Sequence, residues 1–402
     1  MTVRTRWRYL TADGVGASDG LAADEAMMLR YGRDDSASTP AALRLYTYRA
    51  HCALVGRYQN LEDEVDLAAC RELDVQVGRR PTGGGAILMG PAQLGVAITM
   101  RAPDKAASGP APTPRQILQR CADGVIAGLA AMGVEASFRS KNDLEIGGRK
   151  IAGLGLYLDP RGALLFHASV LVDLDVPLML RVLRIPGAKL SDKGVRRVGE
   201  RITTLSRQLD RPLVAVDIRN TFATGMARSL DVERVESELE VAERQRLKEL
   251  VRDRYGTEAW IDQPSPSRDG RGSAMLKTPE GLLRIHVGVH GESIKSALVA
   301  GDFNLLPPGI AEFERRLKWC RAERQPIVDA ATAALTVDDL GVAPEAVGET
   351  VWKATRRALN LQRRAHPIRA QGSCYFPEPG ATQATDHRSP PTAPSPAQEI
   401  PT

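Results

Sequence analysis

Two stretches of the sequence hold residue types that together can manage an anion. The first is Arg79-Arg80-Pro81-Thr82-Gly83-Gly84-Gly85. Glycines let backbone N–H groups approach an anion closely, and arginines add charge-assisted hydrogen bonds, so the loop can wrap a phosphate. No Gly-Lys-Ser/Thr follows, and the spacing is not that of the dinucleotide fingerprint. A flexible hairpin is the competing reading. The second stretch runs from Lys141 to Asp175. Gly147-Gly148 predicts a two-residue hairpin turn and Asp159-Pro160-Arg161-Gly162 a four-residue turn. Asp143–Ile146, Arg149–Leu158 and Ala163–Val172 then form an antiparallel meander. Symmetric turns set Ile146 opposite Arg149 and Leu158 opposite Ala163. Side chains alternate along strands, so Asp143, Glu145, Lys150, His167 and Ser169 project from one face. A solvated sheet face is the alternative, and a slip of one residue would scatter the set.

These residues need a scaffold. Ser18–Tyr31 reads as a helix capped by Ser18 and ended by Gly32, and Leu43–Val55 as strand material closed by Gly56. Ile87–Met100 reads as strand, or loop then strand. Thr113-Pro114 starts a helix that Gly133 stops, with Ile117, Cys121, Val125, Leu129 and Met132 at core spacing. Val176–Arg184 is a short helix, followed by a polar loop with Lys189, Lys193, Arg196 and Arg197. Past Pro264 three strands (Ala274–Thr278, Leu282–Val289, Ser293–Ala300) and two helices (Ile310–Cys320, Pro326–Ala334) form a second α+β unit. From about Ala365 the chain is rich in Pro, Ser, Thr and Ala, a disorder-prone composition. The expected division is 1–262, 263–345, and 346–402 as a helical segment and tail.

The 402 residues suffice for two domains, and 43% hydrophobic residues with only 4% aromatics imply an aliphatic core. The net charge of +5 is spread without a basic stripe, so no nucleic-acid partner is expected. The excess suits a solvated surface or an acidic partner. Five cysteines without a CxxC pair argue against a disulfide framework or zinc site. No signal-like or membrane-spanning apolar run occurs, so the cytoplasm is the default expectation.

Several motifs now combine. Arg79 to Ala86 resembles the RRxSGGGA loop of lipoate–protein ligases, and Val55 to Asn60 their GRxQN segment. Asn142-Asp143-Leu144 followed by Gly148 to Gly153 is similar to their NDL…GxKxxG signature. His167 to Asp173 resembles their HGTLLxD strand, and Lys189 to Leu205 their loop between KxxSKGV and RVTNL. These five segments stand in family order across about 1–255, and Gly301-Asp302-Phe303 resembles the accessory domain's GDFF.

The resemblance implies an α+β fold: a mixed, largely antiparallel sheet flanked by helices, like class II synthetase and biotin ligase domains, with a small α+β accessory domain. It implies an enzyme in which lipoate, or a related medium-chain acid, attacks the α-phosphate of ATP. A carrier lysine then attacks the acyl adenylate. Lys150 would be catalytic, its ammonium offsetting charge at phosphate and acyl oxygens. Arg80, Gly83, Gly84, Gly85, Ala86, Ile87 and Leu88 would hold the nucleotide, joined by Lys150 and His167. Asn142 and Asp143 would hold the adenylate or its metal. The Lys189–Thr204 loop would shield it from water. Mg2+ is implied by the chemistry, with unknown ligands. The expected partners are lipoyl carrier domains of 2-oxoacid dehydrogenase E2 or glycine cleavage H-type proteins.

A rival is the octanoyltransferase, which takes its acyl group from a carrier thioester through a cysteine. One such group places that cysteine where this sequence reads Ile185-Pro186-Gly187, and none occurs between Cys121 and Cys320. Met89 to Leu94 does look like the transferases' HGPGQL. A third reading is a non-catalytic lipoyl-binding homologue. Met89, Gly153-Leu154-Gly155 and Phe166 depart from the ligase pattern and predict a more apolar acyl pocket.

Overall fold

The structure is a computed structural model that describes residues 4–32, 39–103, 111–139, 142–185, 198–263 and 271–365. The strands are β1 (Thr5–Val15), β2 (Ala42–Tyr48), β3 (Cys52–Val55), β4 (Gln76–Arg79), β5 (Ile87–Met89), β6 (Gln93–Arg101), β7 (Ser137–Arg139), β8 (Asp143–Ile146), β9 (Arg149–Leu158), β10 (Ala163–Leu171), β11 (Val232–Glu236), β12 (Arg271–Thr278), β13 (Gly281–His290) and β14 (Ser293–Gly301). Eight of them form one sheet in the order β11-β1-β2-β6-β10-β9-β8-β7. Only the β1 pairings are parallel; the rest of that sheet is antiparallel.

Alternation gives this sheet two different faces. Leu94, Val96, Ile98, Ala152, Leu154, Leu164, Phe166 and Val170 point to one side, against the helices Pro114–Ala131 and Ala215–Ser229. Burying a side chain such as Phe166 or Phe222 there contributes roughly 2–3 kcal/mol each. Thr113 caps the first of these helices in a capping box with Gln116, with Pro114 in its first turn. Ala97, Ala163 and Leu165 point the other way, to the helix Ala17–Met28. On that side a small sheet, β4-β3-β5, completes the wall of a pocket.

Two expected elements differ. The first helix has Gly16 rather than Ser18 at its N-cap, because the Ser18 hydroxyl donates to Tyr255 O at 3.0 Å. The Leu43–Val55 stretch is two strands, because a break at Arg49–His51 carries the chain from the large sheet to the small one.

β12-β13-β14 form a third sheet with its own apolar core, built with Ile310, Phe313, Ile327, Val347 and Val351 from the helices behind it. The described residues up to Gln362 make one compact unit. The sequence beyond Ala365, with the expected tail and Cys374, lies outside the described residues, as does the loop containing Lys189, Lys193, Arg196 and Arg197. No described helix is long and apolar enough to cross a membrane.

Candidate active site

Lys150 reaches its place through two compensating irregularities. Gly147 and Gly148 take φ values of +55° and +75°, which suits a tight turn that sets Ile146 opposite Arg149. β9 then carries one extra residue: Glu145 pairs with Lys150 but Leu144 with Ala152, leaving Ile151 bulged into the helix-side core. The second turn is also one residue off the symmetric expectation, pairing Leu158 with Leu164 rather than Ala163. Its Asp159 side chain accepts from Arg161 N at 2.9 Å and its backbone N donates to Ala163 O at 2.8 Å, which lengthens the loop. The slip alone would have moved His167 and Ser169 to the far face from Lys150. The bulge cancels it, and Asp143, Lys150, Gly153, His167 and Ser169 share one side.

There the Lys150 ammonium lies 2.7 Å from Asp143 Oδ1, with 31% of the side chain exposed. A Cβ at Gly153 would sit 3.1 Å from Lys150 Nζ and 3.3 Å from Ser169 Oγ, so the absent side chain leaves the ammonium its path. The backbone is held as well: Lys150 N donates to Arg201 O and Thr203 N donates to Lys150 O, both at 2.8 Å. The described end of the long polar loop therefore pairs beside the lysine. Glu145 turns to Arg139 instead.

The two arginines of the glycine loop face inward. Arg79 is 1% exposed and its guanidinium donates to the carbonyls of Gly56, Gln59, Trp260 and Ile261 at 2.7–3.1 Å. Arg80 donates to Leu54 O at 2.7 Å, Gly85 O at 2.9 Å and Gly83 O at 3.2 Å. Burial lowers both guanidinium pKa values to about 10, so they remain cationic at neutral pH. They cross-link the loop, and the positive charge stands behind it. The loop is also pinned from outside: a Cβ on Gly56 would lie 1.9 Å from Gly84 O, and Gly84 N donates to Phe303 O at 2.7 Å. This last bond brings the Gly301-Asp302-Phe303 segment onto the glycines.

Behind the pocket lies a buried polar chain. Asp24 is wholly buried; Arg44 Nη1 donates to its Oδ1 at 2.6 Å, and its Oδ2 is 3.0 Å from His167 Nε2. Burial pushes the Asp24 carboxyl up, but Arg44 and His167 outweigh it and hold the pKa below the ordinary value. His167 Nδ1 is 3.3 Å from Thr82 Oγ1.

Of the residues singled out in the sequence, Arg80, Gly83, Gly84, Gly85, Ala86, Ile87, Asn142, Lys150 and His167 line one pocket. Asp143 joins them through Lys150. Leu88 does not, since strand alternation turns it into the cluster with Ala53 and Val55. Phe166 likewise points into the helix-side core, so that departure leaves the pocket unchanged, while Met89 does line it. Sequence reasoning missed Asp24, Arg44, Tyr46 and Tyr48. Arg44, the one charged residue in a largely apolar strand, was the available signal. Cys52, Cys70, Cys121 and Cys320 stand outside the pocket lining, and burial pushes each thiol up. Among the described residues no three His, Cys, Asp or Glu gather to hold a metal, and Asp143 is committed to Lys150. A protein-built magnesium site does not fit this donor set.

Known proteins bear on this geometry. The family model described as lipoyl protein ligase A/B catalytic domain matches residues 17–227. The octanoyltransferase LipM of Symbiobacterium thermophilum is 30% identical over 280 residues, covering 64% of this chain and 98% of the relative. The solved bipartite lipoate protein ligase of Thermoplasma acidophilum is 26% identical with a TM-score of 0.56, covering 66% of this chain and 99% of that one. P. falciparum LipL1, solved in complex with lipoate, shares the fold at 14% identity with a TM-score of 0.62 over 89% of this chain and 99% of its own. The α+β architecture read from the sequence is thus the one observed, and the chain belongs to the lipoyl protein ligase A/B catalytic domain family.

Proposed function

We propose that the protein is a ligase that activates lipoate, or a related medium-chain acid, with ATP and transfers the acyl group to a lysine of a lipoyl carrier domain in the cytoplasm. The observation that carries this reading is Lys150. Its ammonium lies in the same pocket as the Gly83–Gly85 loop, with no cysteine among the described lining residues. In the first step the acid's carboxylate oxygen bonds to the α-phosphorus and the bond to pyrophosphate breaks. Lys150 offsets the charge that gathers on the phosphate and carboxyl oxygens. The glycine loop carries the buried charge of Arg80 behind it, and Asn142 beside Gly84 adds an amide donor. In the second step the carrier amine bonds to the acyl carbon and AMP leaves with the electron pair.

The wall formed by Leu21, Tyr46, Tyr48, Leu54, Ile87 and Met89 suits an apolar acyl chain. A carrier of the E2 lipoyl type is supported by the Thermoplasma ligase, whose structure is described with its E2 lipoyl domain. Residues 1–262 are the proposed catalytic domain, and 263–345 an accessory domain followed by a terminal segment; the separate core around β12–β14 supports a second unit, and it also takes in Val347, Val351, Ala354 and Ala358 from beyond 345.

The second reading is transfer from a carrier thioester, favoured by the likeness to LipM. With no thiol among the described lining residues, such a transfer would pass directly from thioester to lysine. ATP–pyrophosphate exchange separates the two. Exchange that depends on lipoate or octanoate is expected. Acylation of a carrier only from an acyl thioester, without exchange, would establish the transferase instead, and neither activity would leave a binding protein.

A further inference from the structure

A carrier amine sheds a proton as its nitrogen bonds to the acyl carbon. Lys150, a cation held on Asp143, is no acceptor for that proton. The buried chain behind the pocket is better suited. An ionised carboxylate offers only lone pairs, so Asp24 requires a hydrogen on His167 Nε2, 3.0 Å away. Arg44 at 2.6 Å keeps Asp24 in that state. Nδ1 is left as the nitrogen that can take a proton, and it lies 3.3 Å from Thr82 Oγ1. Thr82 and His167 both line the pocket, and Thr82 packs under β9, where a Cβ on Gly155 would sit 3.0 Å from its Oγ1.

We propose that His167, acting through the Thr82 hydroxyl, accepts the proton of the attacking carrier amine, and that Asp24 and Arg44 are positioning residues for it. The inference rests on acyl transfer to a lysine amine as proposed above. As the N–C bond forms, the amine proton passes to Thr82 Oγ1 and the threonine's own hydrogen passes to His167 Nδ1. The C–O bond to the leaving phosphate breaks with its pair on oxygen. The imidazolium rests on Asp24 until it returns the proton to solvent.

The test compares two acceptors, a lipoyl-type carrier lysine and hydroxylamine, a weakly basic amine whose more acidic adduct can give its proton to water without a relay. Thr82→Val leaves every charge in place. It should slow carrier acylation by about 100-fold and hydroxamate formation by less than about tenfold, while Thr82→Ser restores the carrier rate. In Asp24→Asn, Arg44 holds the amide oxygen and turns the NH2 toward Nε2. The neutral imidazole should then carry its proton on Nδ1, against Nε2 in the wild type, as read by 15N NMR. Equal losses toward both acceptors, or an Nδ1 proton in the neutral wild type, would overturn the relay. If pyrophosphate exchange is absent, the same acceptor comparison with an acyl thioester donor decides it. Selective loss then supports the relay although the ATP reading has failed, and equal loss defeats it.

Discussion

The cations around this pocket are used in opposite ways. Arg79 and Arg80 are sealed inside, where their guanidinium forks are met by backbone carbonyls of Leu54, Gly56, Gln59, Gly83 and Gly85. Lys150 keeps about a third of its side chain exposed (31%) and meets one carboxylate. A rigid, planar, always-charged fork can tie several loop carbonyls at once, whereas a flexible ammonium can follow charge as it develops. The arginines therefore define the shape of the glycine loop, and the lysine is the group suited to chemistry.

The contrast fails if Lys150 turns out structural or the arginines catalytic. The largest expected effect is on Lys150→Ala. Acylation of a carrier should fall by about 1000-fold, with unfolding free energy within about 0.5 kcal/mol of wild type, since the side chain is partly exposed. Steady-state rates and urea unfolding check both halves. Arg79→Ala should show the converse. It leaves several buried carbonyls without donors and should cost about 3 kcal/mol, seen as a lower urea midpoint with the slope preserved.

A smaller effect separates two glycines. Gly56→Ala forces a Cβ to within 1.9 Å of Gly84 O and should cost about 2 kcal/mol and displace the loop, raising KM for the acyl donor. Gly147→Ala meets nothing within 4 Å and carries only the strain of its +55° φ, about 1 kcal/mol, with kcat/KM unchanged. Thermal melts and kinetics on the pair sharpen the distinction between a packed loop and a free turn.

The smallest effect is on acid sensitivity. The Asp24 pKa is below its ordinary 3.8 in the folded state, so its contribution is present at neutral pH and lost as pH falls through and below 3.8. Urea midpoints measured down that range should show a shallower acid limb in Asp24→Asn than in wild type.

The sequence made the turns, the meander and the convergence of Lys150 with Asp143 and His167 legible, because Gly-Gly and Asp-Pro-Arg-Gly have few alternative conformations. It did not reveal that the second hairpin is off by one or that Ile151 bulges, because a buried Ile-Ala pair fits either face of a core strand. The inward turn of the arginines was also hidden. Their carbonyl partners lie as far off as Trp260 and Ile261, and no local pattern distinguishes a guanidinium that binds an anion from one that binds a backbone. Asp24 carried no signal in the sequence, since its partners Arg44 and His167 are brought to it only by the assembled sheet.

The most direct test is the intact mass of an E2-type lipoyl domain after incubation with this protein, lipoate and ATP, run in parallel with the Lys150→Ala variant. A lipoyl adduct on the carrier lysine with the wild type, and none with the variant, is the predicted result. An adduct of equal yield with Lys150→Ala, or one formed from an acyl thioester but never from free lipoate and ATP, would contradict it.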